Sequence, residues 1–215
     1  MKNIWLLLLA LTACGRTHRF EQLEGNTVTV TSTSTVTTTE SALQQVLDQE
    51  NSYLESVGQH DLVPGLACSL YTVPTNTISI QGANAACSET NQASFPYVGA
   101  FNQPNTSVTA GLNVLPTALQ PVFQTWFILK CSGYLINLDN NYHQFTLTSD
   151  DGSLLTVDGL LVNNDGLHAT QTVSASKLLT KGAHWVELDF FQGGGQQSLI
   201  LSEDGTVMDG SLFYH

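Results

Sequence analysis

The chain has 215 residues, 11% of them charged, and its 18 Asp and Glu outweigh 6 Lys and Arg to give a formal charge of -12 and a pI near 4.5. Such a surface offers no basic patch to a phosphate backbone, which excludes nucleic-acid binding and leaves cations or neutral polar ligands as expected partners. Once an N-terminal leader is set aside, about 200 residues remain, enough for one domain with a real core plus a tether but not for two full domains.

Lys2 precedes the apolar run Ile4-Trp5-Leu6-Leu7-Leu8-Leu9-Ala10-Leu11, which is too short to span a bilayer as a mature helix and reads as a signal peptide over 1–13. Leu11-Thr12-Ala13-Cys14-Gly15 resembles the lipobox of bacterial lipoproteins. The resemblance implies that Cys14 carries acyl chains, palmitate among them, each buried CH2 contributing about 0.8 kcal/mol to membrane attachment. Gly15 stands where an Asp commonly retains such proteins at an inner membrane, so the expected location is the outer membrane or cell surface.

Residues 14–40 are expected to form a disordered tether. Thr27 to Thr39 is a low-complexity Thr, Ser and Val stretch with little apolar surface to bury. About 26 residues of such coil reach about 30 Å, lifting the folded domain clear of a lipid surface. The alternation of Val and Thr also suits an edge strand, the competing reading. From Ser41 the pattern changes: Ser41-x-x-Gln44 has the form of a capping box, and Leu43, Val46, Leu47, Leu54 and Val57 recur at near-helical spacing before Gly58. A helix is predicted within 41–60. Fewer than three clean heptads favour packing against its own domain over a coiled coil.

Residues 61–215 read as an all-β domain, an antiparallel sandwich or barrel. The strand-like runs include Leu66 to Tyr71, Thr77-Ile78-Ser79-Ile80, Trp126 to Leu129, Gln144 to Thr148, Trp185 to Phe190 and Leu199-Ile200-Leu201, while Cys87 to Leu115 is polar and expected to be long surface loops. With Cys14 lipidated, Cys68, Cys87 and Cys131 remain, allowing three pairings and leaving one cysteine over. The six histidines, His18, His60, His143, His168, His184 and His215, show no zinc-binding spacing and are expected to be isolated packing or surface residues.

The most informative stretch is Gln144-Phe145-Thr146-Leu147-Thr148-Ser149-Asp150-Asp151-Gly152-Ser153-Leu154-Leu155-Thr156-Val157-Asp158-Gly159: strand, acidic loop, strand, second turn. It resembles the core signature of the PA14 family, an aromatic-x-Phe strand, a Ser-Asp-Asp-Gly-Ser loop and a Val-Asp-Gly turn. Downstream, Leu161 to His168, Leu179-Thr180-Lys181-Gly182-Ala183-His184-Trp185-Val186 and Asp189-Phe190-Phe191-Gln192-Gly193 are similar to later family motifs in the same order. Pro64-Gly65-Leu66 and Lys130-Cys131-Ser132-Gly133-Tyr134 resemble earlier strands, so the likeness covers roughly 62–215.

The resemblance implies that Asp150 and Asp151 are joined by a cis peptide and bind calcium with Gln192. Calcium takes six to eight oxygens, more than two aspartates and one amide supply, so backbone carbonyls, water and vicinal sugar hydroxyls are expected to complete the shell. Asp150, Asp151, Gln192, Gly193 and Gln196 are thus the expected ligand-binding residues. Gly193-Gly194-Gly195 replaces the Gly-Pro-Arg that bacterial relatives usually carry, a departure at the loop that shapes specificity. Trp185 and Tyr142 are weighed as sugar-stacking faces against core roles. Asp158-Gly159 and Asp165-Gly166 are read as turns.

Adjacent aspartates cannot easily reach the separation of about 5–10 Å that two carboxylates need across a glycosidic bond, and no nucleophile elbow, phosphate loop or metalloprotease motif occurs. The expectation is a non-enzymatic, membrane-anchored surface lipoprotein that binds a glycan or polysaccharide through calcium. The alternative is a structural module of the cell envelope contacting a protein partner through its helix or its leftover cysteine.

Overall fold

The computed structural model describes residues 38–56, 61–87, 95–97, 101–103, 124–208 and 210–215. The expected signal peptide, Cys14 and residues 14–37 of the expected tether lie outside the described residues.

Helix α1 spans Thr38–Ser56, so the Ser41-x-x-Gln44 pattern falls inside it rather than at its start. Val46 and Leu54 are its buried residues. Val46 packs with Ile136 and Tyr214, flanked by Leu43, Leu47, Leu62 and Ala183, so the helix covers one end of its own β domain. Among the described residues no helix is long and apolar enough to cross a membrane.

The β domain is two antiparallel sheets. The first contains β1 (Leu66–Thr72), β2 (Phe95–Tyr97), β4 (Phe127–Asn137), β6 (Ser153–Val157), β7 (Leu160–Asn164), β9 (Gly182–Gln192) and β12 (Phe213–Tyr214), running β2-β1-β4-β9-β6-β7 with β12 also on β4. The second contains β3 (Phe101–Gln103), β5 (Asn141–Asp150), β8 (Gln171–Leu179), β10 (Gln197–Glu203) and β11 (Thr206–Val207), running β11-β10-β5-β8 with β3 on β10. Alternation along β6 and β9 sends Leu155, Val157, Val186, Leu188 and Phe190 inward to meet Phe145, Leu147, Leu199 and Leu201 of the other sheet. One shared core between two sheets makes a β-sandwich.

Two expectations change and one open question is answered. Ile80–Ala86 is a short helix, α2, not a strand: Ser79 caps it by accepting the Gly82 N–H at 3.1 Å, and such a cap satisfies an amide that a strand would have to pair elsewhere. The polar stretch after Cys87 contributes β2 and β3; both are three-residue strands, too short to show a period. The cysteine pairing left open by the sequence is Cys68–Cys131, directly opposite one another in the β1–β4 register. No described cysteine is a free thiol.

Candidate functional site

Chain order and sheet membership together create the site. The chain passes from β5 to β6, from β7 to β8 and from β9 to β10, and each passage changes sheet at the same end of the sandwich. The acidic loop is therefore a crossover between sheets rather than a hairpin within one. Three connections, Asp151–Gly152, Asp165–Thr170 and Gly193–Gln196, meet at this end. The true hairpin is β6–β7, closed by Asp158 and Gly159, both with positive φ.

The Asp150–Asp151 peptide is cis. Both side chains are buried, Asp150 at 6% exposure and Asp151 at 3%. Asp151 Oδ2 accepts the Gly193 N–H at 2.9 Å and Oδ1 the His168 N–H at 3.1 Å, so one carboxylate ties the other two crossovers together. Asp150 Oδ2 accepts the Thr170 hydroxyl at 3.3 Å. Below the pair, the hydroxyls of Ser149 and Ser153 lie 2.7 Å apart and the Asn164 amide donates to Ser149 at 2.8 Å, a buried polar stem under the acidic tip.

Burial pushes the Asp151 carboxyl above its ordinary 3.8; the Gly193 N–H pulls it down, the neighbouring Asp150 charge pushes it up, and His168 pulls it down again. Two desolvated carboxylates repelling one another favour a proton or a cation between them.

Glycine is required by close approach at Gly152, where a Cβ would lie 2.7 Å from the Gly166 carbonyl oxygen and 2.8 Å from its nitrogen. One at Gly193 would lie 2.5 Å from Leu167 Cδ1, the movable end of an exposed side chain, and 3.4 Å from Asp151 Oδ2. The Gly193 backbone is engaged on both sides, its carbonyl accepting the Trp126 N–H at 2.9 Å.

No family model matches the chain, and no curated protein matches it in sequence. Solved structures do. The PA14 domain of the antifreeze protein MpAFP is 20% identical, covering 72% of this chain and 92% of that one at a TM-score of 0.56. The PA14 sugar-binding domain from an RTX adhesin is 21% identical, covering 70% and 97% at 0.50. The domain has the PA14 fold. A third match is the subtype-switched epithelial adhesin 9 A domain from Candida glabrata in complex with beta-lactose, at 15% identity, covering 71% and 88% with a TM-score of 0.50.

In this PA14 fold the residues expected to bind ligand fall into different settings. Asp150, Asp151, Gln192 and Gly193 come together at the crossover end. Gln192 is fully buried, its amide oxygen accepting the Asp151 N–H at 3.3 Å and its amide nitrogen donating to the Gln196 carbonyl at 3.0 Å. It braces the acidic pair from beneath and retains one lone pair on its amide oxygen. Gln196 is exposed on the loop, with Gly194 and Gly195 beside it.

Calcium fits the donor chemistry here. The site offers carboxylate and amide oxygens, the kind a hard cation takes. Ser198, the cross-strand partner of Asp150, also has a buried hydroxyl without a hydrogen-bond partner, and opposite residues on one sheet face stand about 5 Å apart.

Neither aromatic weighed as a stacking face is beside the acidic pair. Trp185 stands edge-on to Tyr134 with ring centroids 5.2 Å apart, and Tyr142 is 68% exposed near the far end of β5. The aromatic next to the loop is Trp126, whose ring edge lies 3.5 Å from where a Gly193 Cβ would be. Its backbone has φ +56°, so it is a turn residue before β4 rather than the first strand residue the sequence suggested. Thr170 and Ser198 were also missed, because pairing with residues 20 and 48 positions away leaves no local signal.

His184 is buried and hydrogen-bonded, its Nδ1 2.6 Å from Asp158 Oδ2 and its Nε2 2.7 Å from the Thr180 carbonyl. His168 is half-buried, between the carbonyls of Ala169 and Asn164.

Proposed function

We propose that the domain is a calcium-dependent carbohydrate-binding module, carried on the bacterial cell envelope by a lipid on Cys14. The observation that carries the reading is the burial of Asp150 and Asp151 together where three sheet-crossing loops meet. A matched PA14 domain described as sugar-binding and a matched adhesin A domain complexed with beta-lactose add support.

Asp150 and Asp151 bind the ion, Gln192 orients the pair, and the backbone N–H groups of Gly193 and His168 hold the Asp151 carboxylate in place. Calcium, when bound, supplies open coordination positions for vicinal hydroxyls of a sugar. Gly193 lets the late loop approach the pair closely, and exposed Gln196 supplies a hydrogen-bonding side chain at the rim. The function is recognition rather than catalysis, since adjacent carboxylates cannot flank a scissile bond. Its role at the outer surface is adhesion or capture of carbohydrate.

Calorimetry with calcium tests the metal claim: the wild type is expected to bind one ion and Asp150→Ala/Asp151→Ala none, whereas no binding to wild type, or equal binding to both, contradicts it. The anchor is tested by intact mass of the chain purified from membranes. Acyl mass on a fragment beginning at Cys14 supports it; an unmodified Cys14 crosslinked to Cys87 overturns it.

A further inference from the structure

The other end of β5 carries a group of side chains that carbohydrate binding does not use. His143 is 8% exposed and lines a cavity of about 210 Å3 with Asn137, Asp139, Glu203, Asp204 and Leu212. Two turns and two strands bring the polar groups together: Asp139 from the β4–β5 turn, His143 from β5, Glu203 from the end of β10 and Asp204 from the β10–β11 turn. Asp204 adopts φ +49°, and its Oδ1 accepts the Gln144 N–H at 2.8 Å.

His143 Nε2 lies 3.0 Å from Asp139 Oδ1, while Nδ1 lies 3.0 Å from Glu203 Oε1 and 3.2 Å from Asp204 Oδ2. A neutral imidazole has one ring proton. With that proton on Nε2 facing Asp139, Nδ1 turns a lone pair toward two carboxylates, so three acceptors converge without a protein donor between them, although Asp204 is 53% exposed to water. With it on Nδ1, a single N–H faces two carboxylates and Asp139 meets a lone pair. Even a doubly protonated ring sets one positive charge against three negative ones.

A metal ion resolves this arrangement. His143, Glu203 and Asp204 each offer one ligand atom within 4.8 Å of the others, and bonds of about 2.0–2.2 Å to a tetrahedral ion put neighbouring ligand atoms about 3.3–3.5 Å apart, a short adjustment from the 3.0 and 3.2 Å that separate Nδ1 from Glu203 Oε1 and Asp204 Oδ2. The carboxylate on the opposite ring nitrogen is the partner that a metal-ligating histidine ordinarily keeps, fixing its tautomer. The adjoining cavity leaves room for water in the remaining position.

We propose that His143 Nδ1, Glu203 and Asp204 form a second metal site, for a transition-metal dication of the Zn2+ type, with Asp139 as a positioning residue. An imidazole nitrogen among carboxylates selects such ions, whereas the all-oxygen Asp150 end suits calcium. The two sites lie on one strand about 24 Å apart, given seven residues at about 3.4 Å each. The ion would clasp the β4–β5 and β10–β11 turns onto β5. Zinc binding here is independent of carbohydrate binding at the Asp150 end.

The test is a titration of the full mature chain with zinc chloride in the presence of calcium, with 15N signals of the histidine rings followed in parallel. One Zn2+ per chain is expected, the His143 Nδ1 resonance moving on binding while Nε2 stays protonated. His143→Gln and Glu203→Gln should each weaken binding at least about tenfold, and Asp139→Asn about tenfold or more through the ring orientation. Asp150→Asn/Asp151→Asn should leave it unchanged. If His143→Gln does not fold, the near-isosteric Glu203→Gln and the ring spectra decide. Zinc binding absent from wild type, unaffected by Glu203→Gln, or leaving Nδ1 protonated at saturation overturns the proposal.

Discussion

The two ends of β5 solve the same electrostatic problem in opposite ways. At the Asp150 end, buried carboxylate oxygens meet backbone N–H groups of Gly193 and His168, donors fixed by the crossovers themselves. At the His143 end, carboxylates meet an imidazole that cannot serve all three of them. Backbone donors hold both oxygens of Asp151 before any ligand arrives; at the His143 end Asp204 Oδ1 takes one such donor from Gln144, while the oxygens facing the ring depend on protons or a bound cation. His184 sharpens the contrast, because its one carboxylate and one carbonyl match its two nitrogens.

Substitutions can separate the two ends or move them together. The largest effect is expected from Cys68→Ala/Cys131→Ala, since the crosslink closes a 63-residue separation in the shared core and its loss should cost about 4 kcal/mol. Urea unfolding measures that loss, and both ends should weaken in parallel because they share one scaffold. Gly152→Ala comes next: its Cβ meets the Gly166 backbone, and such overpacking costs about 1–3 kcal/mol. Calcium affinity should fall sharply while zinc affinity holds; equal loss at both ends would show that the ends are not separable.

Thr170→Val is expected to cost about 1 kcal/mol and to weaken calcium binding severalfold in calorimetry, because Asp150 loses its hydroxyl donor. The smallest effect is a pH slope. His184 sits above its ordinary 6.5: burial opposes this, but the bonds to Asp158 and to the Thr180 carbonyl outweigh it. Its contribution to stability is therefore complete below pH 6.5 and lost as pH rises through the folded-state value. Thermal melts from about pH 6 to about pH 9 should show this decline in the wild type and lack it in His184→Gln.

The same contrast explains what could be read from the sequence. The sandwich was legible because Gln144–Thr148 and Trp185–Phe190 alternate with period two, and the acidic tip because Ser149 to Ser153 is contiguous. The crossover was not, since a strand-loop-strand pattern is the same whether the chain stays in one sheet or changes sheets. Nor was α2, whose seven residues are declared chiefly by the Ser79 cap. The His143 group was read as an isolated histidine because its partners lie four residues before it and 60 and 61 after it, brought near only by the β5–β10 pairing. Trp126 escaped for a related reason: its positive φ accompanies a contact with Gly193, far away in the chain.

The central claim is that the Asp150 end recognises a sugar through calcium, and a glycan array probed in calcium and again in chelator tests it most directly. Binding to a defined set of glycans in calcium, abolished by chelator and by Asp150→Asn/Asp151→Asn, is the predicted result. Glycan binding that persists in chelator, or an array silent in calcium with a folded wild-type domain, would contradict it.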